Sequence, residues 1–288
     1  MTEPVYWLNG RLVTGTDAGV PLNDHGLLYG DGVFEGIRFY NGRPLRLAAH
    51  LDRLESSARA LMLKLPSRTE LQAGVDAAIT AFDQPEGYLR LVVTRGPGGL
   101  GLDPTQCEQP NLFIIADRVA LAEDAKRRAG LDLITASTRR PGPTVLDPRI
   151  KSLNYLNNIL ARMEAYRAGA DEAVLLNERG FVAEGSAENI FVVRNDRLLT
   201  PPVSDGALDG ITRGIILELC REEGMEAAER SLTLYDIHTA DECFLCGTGA
   251  EILPVRSVDG RRMKQSPGLL TRRLEGAFHR LVEKETRS

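Results

Sequence analysis

The sequence predicts an α+β protein built as two domains, and three observations carry that expectation. At 288 residues the chain exceeds what a single hydrophobic core usually serves. Short apolar runs joined by tight turns, as at Asn9-Gly10 and Asn41-Gly42, predict antiparallel hairpins. Between them lie stretches with helical periodicity, such as Leu51, Leu54, Ala58 and Leu61 on one face.

Each element follows from its local pattern. "YWLNGRLV" is two short runs around Asn9-Gly10, and "HGLLYGDGVFEGIRFYNGRPLRL" alternates apolar and polar residues up to the turn at Asn41-Gly42. "AAHLDRLESSARALMLKL" is a helix, a second runs from Thr69 to Phe82, and "YLRLVVTRG" and "NLFIIADRV" are strands of a mainly antiparallel sheet. These place a small N-terminal α+β domain at residues 1–119. The polar run "ALAEDAKRRAG" at 120–130 reads as the interdomain linker, a composition an exposed helix shares. A larger C-terminal α+β domain occupies 131–288. It opens with the strand "LDLITAS", then a Pro-punctuated loop and a helix from Leu153 marked by Leu153, Leu156, Leu160 and Met163 and ended by Gly169. "EAVLLN", "GFVAEGS" and "NIFVVRNDRLLT" are strands with turns at Glu178-Arg179-Gly180 and Asn195-Asp196. "GITRGIILELCREEG" is a helix, "ECFLCGTGAEILPV" more strand, and "LLTRRLEGAFHRLVEKE" a closing amphipathic helix.

Composition narrows the function. A net charge of −5 with 26% charged residues leaves no basic footprint for nucleic acid. No apolar run approaches the roughly 20 residues of a membrane span, and no secretory leader is apparent, so no membrane partner and a cytoplasmic location are expected. Four cysteines (Cys107, Cys220, Cys243, Cys246) fit a reducing compartment. Cys243 and Cys246 form C-x-x-C within a strand pattern, where i and i+3 point to opposite faces. With no second Cys or His pair at zinc spacing, buried strand thiols are expected and no metal.

Gly96-Pro97-Gly98-Gly99-Leu100-Gly101 satisfies G-x-G-x-x-G, the one hint of a nucleotide-dependent oxidoreductase. A dinucleotide site needs a helix after that motif, and "LDPTQCEQP" with its two prolines forbids one. The more telling stretch is "PRIKSLNYLNN", which sets Lys151 between an apolar loop and a helix, either as a plain surface lysine or as a tuned amine able to form an imine. If that imine is with pyridoxal phosphate, a carboxylate is needed for the pyridine nitrogen, backbone N–H groups and an Arg for the phosphate, and a phenol near the ring oxygen. The chain offers Glu184 in "FVAEGSAENI", Ile211 and Thr212 at a helix start, Thr248 in a glycine-bracketed turn, Arg53 on a helix, and Tyr155 one helical turn past Lys151. Each also fits a plain structural role: a strand-end carboxylate, a helix cap, a snorkelling arginine.

Taken together, "LNDHGLLYGDGVFEGIRFYNG", "HLDRL", "YLRLVVTRGPGGLGLDP", "RIKSLNYLNNILARMEA", "EGSAENIF", "LDGITRG" and "GTGAEILPV" resemble the class IV (fold-type IV) aminotransferases over nearly the whole chain. The resemblance implies a two-domain fold of the D-amino-acid aminotransferase type, with the active site between the domains and pyridoxal 5'-phosphate as cofactor. It implies that Lys151 forms the Schiff base and acts as the catalytic base, and that Glu184 pairs with the pyridine nitrogen. Arg53, Ile211, Thr212 and Thr248 would hold the phosphate and Tyr155 approach the ring oxygen. Within the family, Phe34, Gly36 and Arg38 in "FEGIR" and Tyr88 and Arg90 in "YLR" look like the branched-chain type. The R-x-H carboxylate trap of D-amino-acid enzymes is missing, because Pro97 stands two residues after Arg95. The resemblance further implies that Tyr29 reaches the neighbouring subunit of a homodimer, and that Thr248 and Gly249 N–H groups with Tyr88 meet the substrate carboxylate. Gly249, where alanine is common, and "RRMKQSPGLLT", where a glycine-rich segment is usual, depart from the pattern. The expected reaction moves the amino group of L-leucine, L-isoleucine or L-valine to 2-oxoglutarate, with Arg38 or Arg90 receiving the distal carboxylate of glutamate. The alternatives are a D-amino-acid or (R)-amine transaminase or an aminodeoxychorismate lyase on the same fold, and, last, a binding module that has lost catalysis.

Overall fold

The computed structural model describes residues 3–118 and 124–287. The chain divides into two compact units. The first comprises the residues up to 118 together with Ile150–Asn154 and the last turn of the C-terminal helix. The second comprises the rest.

The first unit is one antiparallel sheet covered by two helices. Its strands are β1 (Val5–Leu8), β2 (Arg11–Val13), β3 (Gly32–Tyr40), β4 (Arg43–Pro44), β5 (Gly87–Thr94) and β6 (Asn111–Asp117), in the order β2-β1-β6-β5-β3-β4. Both predicted hairpins form. Asn9 and Gly10 link β1 to β2, and Asn41 and Gly42 link β3 to β4, all four with positive φ, the backbone such two-residue turns demand. A five-residue helix α1 (His25–Tyr29) leads into β3. Helices α2 (Leu47–Ala60) and α3 (Arg68–Phe82) pack on one face of the sheet. Leu51, Leu54 and Ala58 of α2 are buried with Leu71, Val75, Ala78 and Phe82 of α3 against Val33, Ile37, Phe39, Leu89, Leu91 and Ile114 of the strands. A capping box between Ser67 and Glu70 starts α3. The glycine-rich loop after β5 leads to a single 3-10 turn at Pro104–Gln106 and no α-helix, so its G-x-G-x-x-G lacks the helix N-terminus a pyrophosphate needs.

The linker is expected at 120–130. Residues 119–123 lie outside the described residues, and Asp124–Ala129 is a helix, α4, its polar composition being that of an exposed helical turn. The second unit continues with β7 (Leu131–Thr135), α5 (Leu156–Arg167), β8 (Glu172–Leu176), β9 (Val182–Gly185), β10 (Asn189–Arg194), β11 (Arg197–Thr200), α6 (Ile211–Glu222), β12 (Ala227–Glu229), α7 (Leu234–His238), β13 (Glu242–Gly247), β14 (Glu251–Val258), β15 (Arg261–Arg262) and α8 (Leu269–Thr286). Its strands run β12-β11-β10-β13-β14-β7-β8-β9, with β15 on β14. Pairing is mixed: β14 with β7, β7 with β8 and β11 with β12 are parallel. The core gathers Leu133, Val174, Ile190, Val192, Leu245, Leu253 and Val255. Cys243 and Cys246 of β13 are both buried and both free, the strand thiols the pattern predicts.

One helix differs from its expectation. The periodic run from Leu153 begins as helix only at Leu156, with Tyr155 as N-cap, so Tyr155 is not one helical turn past Lys151. The reason is that Lys151, Ser152 and Leu153 are taken up by backbone pairing to β3. Nor does the apolar stripe face a core. Leu156, Ile159, Leu160, Met163 and Tyr166 are exposed, while Asn158, Ala161 and Ala165 form the buried face. Among the described residues no helix is long and apolar enough to cross a membrane.

Candidate active site

In the first unit, strand alternation sorts the candidates onto two faces. Phe34, Gly36 and Arg38 of β3 pair with Val92, Arg90 and Tyr88 of β5, and directly opposed residues project from the same side of a sheet. That face is the one opposite α2 and α3. The Arg90 guanidinium lies 4.5 Å from the centre of the Phe34 ring and 5.7 Å from that of Tyr88. Gly36 is required beneath this stack, since a Cβ there would stand 1.9 Å from the Tyr88 hydroxyl. The Arg38 guanidinium leans the other way, 5.1 Å from the Tyr40 ring and 3.7 Å from Glu86.

Lys151 joins this group through its backbone. Its carbonyl accepts from Phe34 N (3.0 Å), its own N–H donates to Ser57 Oγ (3.1 Å), and Ser152 bridges to Val33. The half-buried Lys151 is thus docked like an added edge strand, and its Nζ stands 4.5 Å from the Phe34 ring centre. Phe34 therefore has Lys151 and Arg90 as neighbours at equal distance, contacts of the cation–π kind.

Arg53 belongs to the other face. Its Nε and Nη2 make a bidentate fork on Glu35 (2.8 and 2.7 Å), and His50 Nδ1 stands 2.8 Å from the same carboxylate. Glu35 is wholly buried and His50 is 2% exposed. Burial alone would raise the Glu35 pKa; the Arg53 charge and the hydrogen bonds from Arg53 and His50 outweigh it and bring the carboxyl down to about 2. Tyr29 is not drawn to the Lys151 group: its hydroxyl donates to Leu100 O, which with His25 on Gly99 O pins the glycine-rich loop to α1. Arg95 is committed to Asp31 and to the Leu61 and Met62 carbonyls.

In the second unit, Glu184 on β9 is the hub of a buried polar network. Arg140 Nη2 donates to its Oε1 (2.6 Å), and Leu208 N (2.9 Å) and Asn189 Nδ2 (3.3 Å) donate to Oε2. The Arg140 Nη1 reaches Asn158 Oδ1 (3.0 Å), and Asn158 donates to Ser186 O. Three donors, one of them cationic, suit an anionic carboxylate. Asn189 also donates to Leu208 O, linking Glu184 to the approach of α6. There the N-cap is Gly210, with no side-chain cap, so the N–H groups of Ile211 and Thr212 open the helix without a side chain bonded over them. A Cβ on Gly210 would meet Asn189 Oδ1 at 2.0 Å. Thr248 and Gly249 occupy the three-residue turn between β13 and β14, next to Cys246, which pairs with Asn189. Tyr155 is half-buried at the start of α5.

This donor set fits a phosphorylated pyridine. An anionic carboxylate, an uncapped helix start, a helix-start glycine that lets the backbone approach Asn189 and a hydroxyl turn stand along one connected stretch of the second unit. The two groups also contain residues that the sequence did not single out: Glu35 and His50 beside Arg53 in the first unit, and Arg140, Asn158 and Asn189 around Glu184 in the second. A glutamate on the β3 face that otherwise carries Val33, Ile37 and Phe39 is the one signal that would have found any of them.

A family model described as amino-transferase class IV matches residues 32–258. The chain belongs to the class IV aminotransferases. A Methanocaldococcus jannaschii protein that carries the name branched-chain-amino-acid aminotransferase provisionally is 48% identical over 94% of this chain and 94% of its own. The Escherichia coli branched-chain amino acid aminotransferase has a structure similar to that of this aminotransferase, with a TM-score of 0.93 at 34% identity, covering 99% of this chain and 96% of that one. The branched-chain amino acid aminotransferase from Thermobaculum terrenum, in its PLP-bound holo form, superposes with a TM-score of 0.87 at 32% identity over 98% and 95% of the two chains.

Proposed function

We propose that this class IV aminotransferase moves the amino group of L-leucine, L-isoleucine or L-valine to 2-oxoglutarate. The observation that carries the reading is the Phe34 ring, which puts an apolar wall 4.5 Å from the Lys151 amine and a guanidinium, Arg90, on the same ring. An aliphatic side chain is served by the ring, and the distal carboxylate of glutamate by the arginine. Arg90 suits that carboxylate better than Arg38, whose guanidinium leans toward Glu86. The family's cofactor, pyridoxal 5'-phosphate, supplies when bound a protonated ring that accepts the electron pair left at the substrate Cα.

The chain's own residues do the rest. Lys151 Nζ would take the proton from the substrate Cα and deliver it to C4′ of the bound cofactor, positioned transfer of a kind typically worth about 10²–10⁴-fold. Glu184, held by Arg140, keeps the ring nitrogen's proton in place. Arg53, the N–H groups of Ile211 and Thr212, and Thr248 would hold the phosphate, and Tyr155 would approach the ring oxygen. Thr248 and Gly249 N–H groups with Tyr88 orient the α-carboxylate. The D-amino-acid alternative loses ground because Arg95, the nearest candidate for a carboxylate trap, is committed elsewhere.

Homodimers in the cytoplasm complete the reading. Exposed Leu27, Leu28, Leu100 and Leu102 around α1, and the outward stripe of α5, are apolar surface that a second copy would cover. All four thiols are free, as a reducing compartment keeps them. The test is the absorption spectrum of the cofactor-loaded protein. Adding L-leucine should convert the cofactor band to the amine form and 2-oxoglutarate should restore it, while D-alanine leaves it unchanged. A band that responds to D-alanine and ignores L-leucine would overturn the assignment.

A further inference from the structure

Glu35 presents a physical puzzle. A wholly buried carboxylate in the strand that carries Val33, Ile37 and Phe39 into the core is costly to desolvate, and a buried ion pair is often no more stable than the apolar residues that would replace it. The carboxylate and its partners sit at the edge of a core that could have been closed with leucine. Geometry shows what it does secure. Glu35 grips Arg53 side-on, through Nε and Nη2, with both oxygens engaged and His50 Nδ1 on the far side of Oε2. A side-on fork fixes the plane of the guanidinium and the rotamer of the whole side chain; the end-on edge, Nη1 with the second N–H of Nη2, is not part of the fork. His50 and Arg53 are three residues apart on α2, so one helix face delivers both to the same carboxylate. Arg53 also stands one turn before Ser57, whose hydroxyl holds the Lys151 backbone.

We infer that Glu35, held in turn by His50, is a positioning residue that locks the Arg53 guanidinium end-on for the cofactor phosphate. This rests on the proposed role of Arg53 in holding that phosphate. An unlocked arginine would have to freeze its rotamers each time the cofactor bound; the fork has that order in place beforehand. The effect is specific to the phosphate, because neither Glu35 nor His50 has a reason to alter binding of the ring itself.

The test compares the affinity of the cofactor-free protein for pyridoxal phosphate with that for pyridoxal, which lacks the phosphate. For the wild type the ratio of the two dissociation constants is large. Glu35→Gln should lower that ratio about 10-fold, the scale of a hydrogen bond to a charged group, with pyridoxal binding itself unchanged. Arg53→Gln should lower it at least as far, and adding Glu35→Gln to Arg53→Gln should change it no further. If Arg53→Gln lowers the ratio and Glu35→Gln does not, or if Glu35→Gln weakens both ligands equally, the inference is overturned while the role of Arg53 stands. If Arg53→Gln itself leaves the ratio unchanged, the phosphate reading of Arg53 falls and the inference with it. Should Glu35→Gln fail to fold, His50 decides. His50→Leu removes the Nδ1 contact and should lower the ratio, and His50→Asn, which keeps a donor in its place, should restore it. Equal ratios in those two variants would overturn the inference.

Discussion

Arg140 is where the chemistry of the second unit is most exposed to a single change. It is 6% exposed and Glu184 4%, and the guanidinium also donates to Gly206 O and Asn158 Oδ1. Replacing it with Met leaves a buried carboxylate with only Leu208 N and Asn189 Nδ2 among the donors described above. Breaking a buried pair from one side costs about 3–5 kcal/mol, so Arg140→Met should lower the urea midpoint sharply and weaken cofactor retention. Glu184→Gln in the same background should recover part of the stability, since the stranded charge is gone, and none of the activity. Equal stability of the single and double variants would mean that Arg140 acts by packing and not by charge.

Elements were legible wherever a local rule decided them. Asn9-Gly10 and Asn41-Gly42 demand positive φ and give hairpins, and the α2 face of Leu51, Leu54 and Ala58 is buried as its period requires. Lys151 and Glu184 stand out as charged groups in apolar surroundings, Ile211 and Thr212 as the start of a helix, and Thr248 as a hydroxyl in a glycine-bracketed turn. Arg140 and His50 did not stand out, because their partners lie 44 and 15 residues away and no spacing rule spans those separations. The α5 stripe shows a different limit. Periodicity gave an amphipathic helix but not which side the apolar face would meet, and among the described residues that face stays exposed. If a second copy covers it, Leu160→Asp should turn dimers into monomers by light scattering with the secondary structure intact by circular dichroism. A dimer that persists unchanged would mean that α5 does not lie in the interface.

At the scale of the molecule, carboxyls of opposite behaviour set how stability varies with pH. Burial would raise Glu35 and Glu164, but Arg53 and His50 for the one, and the hydroxyl and N–H groups of Thr138 and Ser137 for the other, bring both down to about 2; Asp132 is held at about 2 by hydrogen bonds from Arg256 and Ser257. Each such group binds a proton less readily folded than unfolded. The stability it contributes is full above the unfolded value, 4.5 for glutamate and 3.8 for aspartate, and is lost as pH falls toward 2. Glu188 has the opposite sign. Burial, and then the charge of Glu172, push it up to about 8, so its contribution is full below 4.5 and drains away as pH rises through 8. Unfolding free energy should therefore fall on both sides of a maximum, and the alkaline limb belongs partly to one residue. Glu188→Gln, which cannot ionise, should gain on the wild type steadily between pH 5 and pH 9 in urea titrations at fixed ionic strength. A difference between the two proteins that stays flat across that range would show that the Glu188 carboxyl ionises in the folded protein as freely as in the unfolded chain.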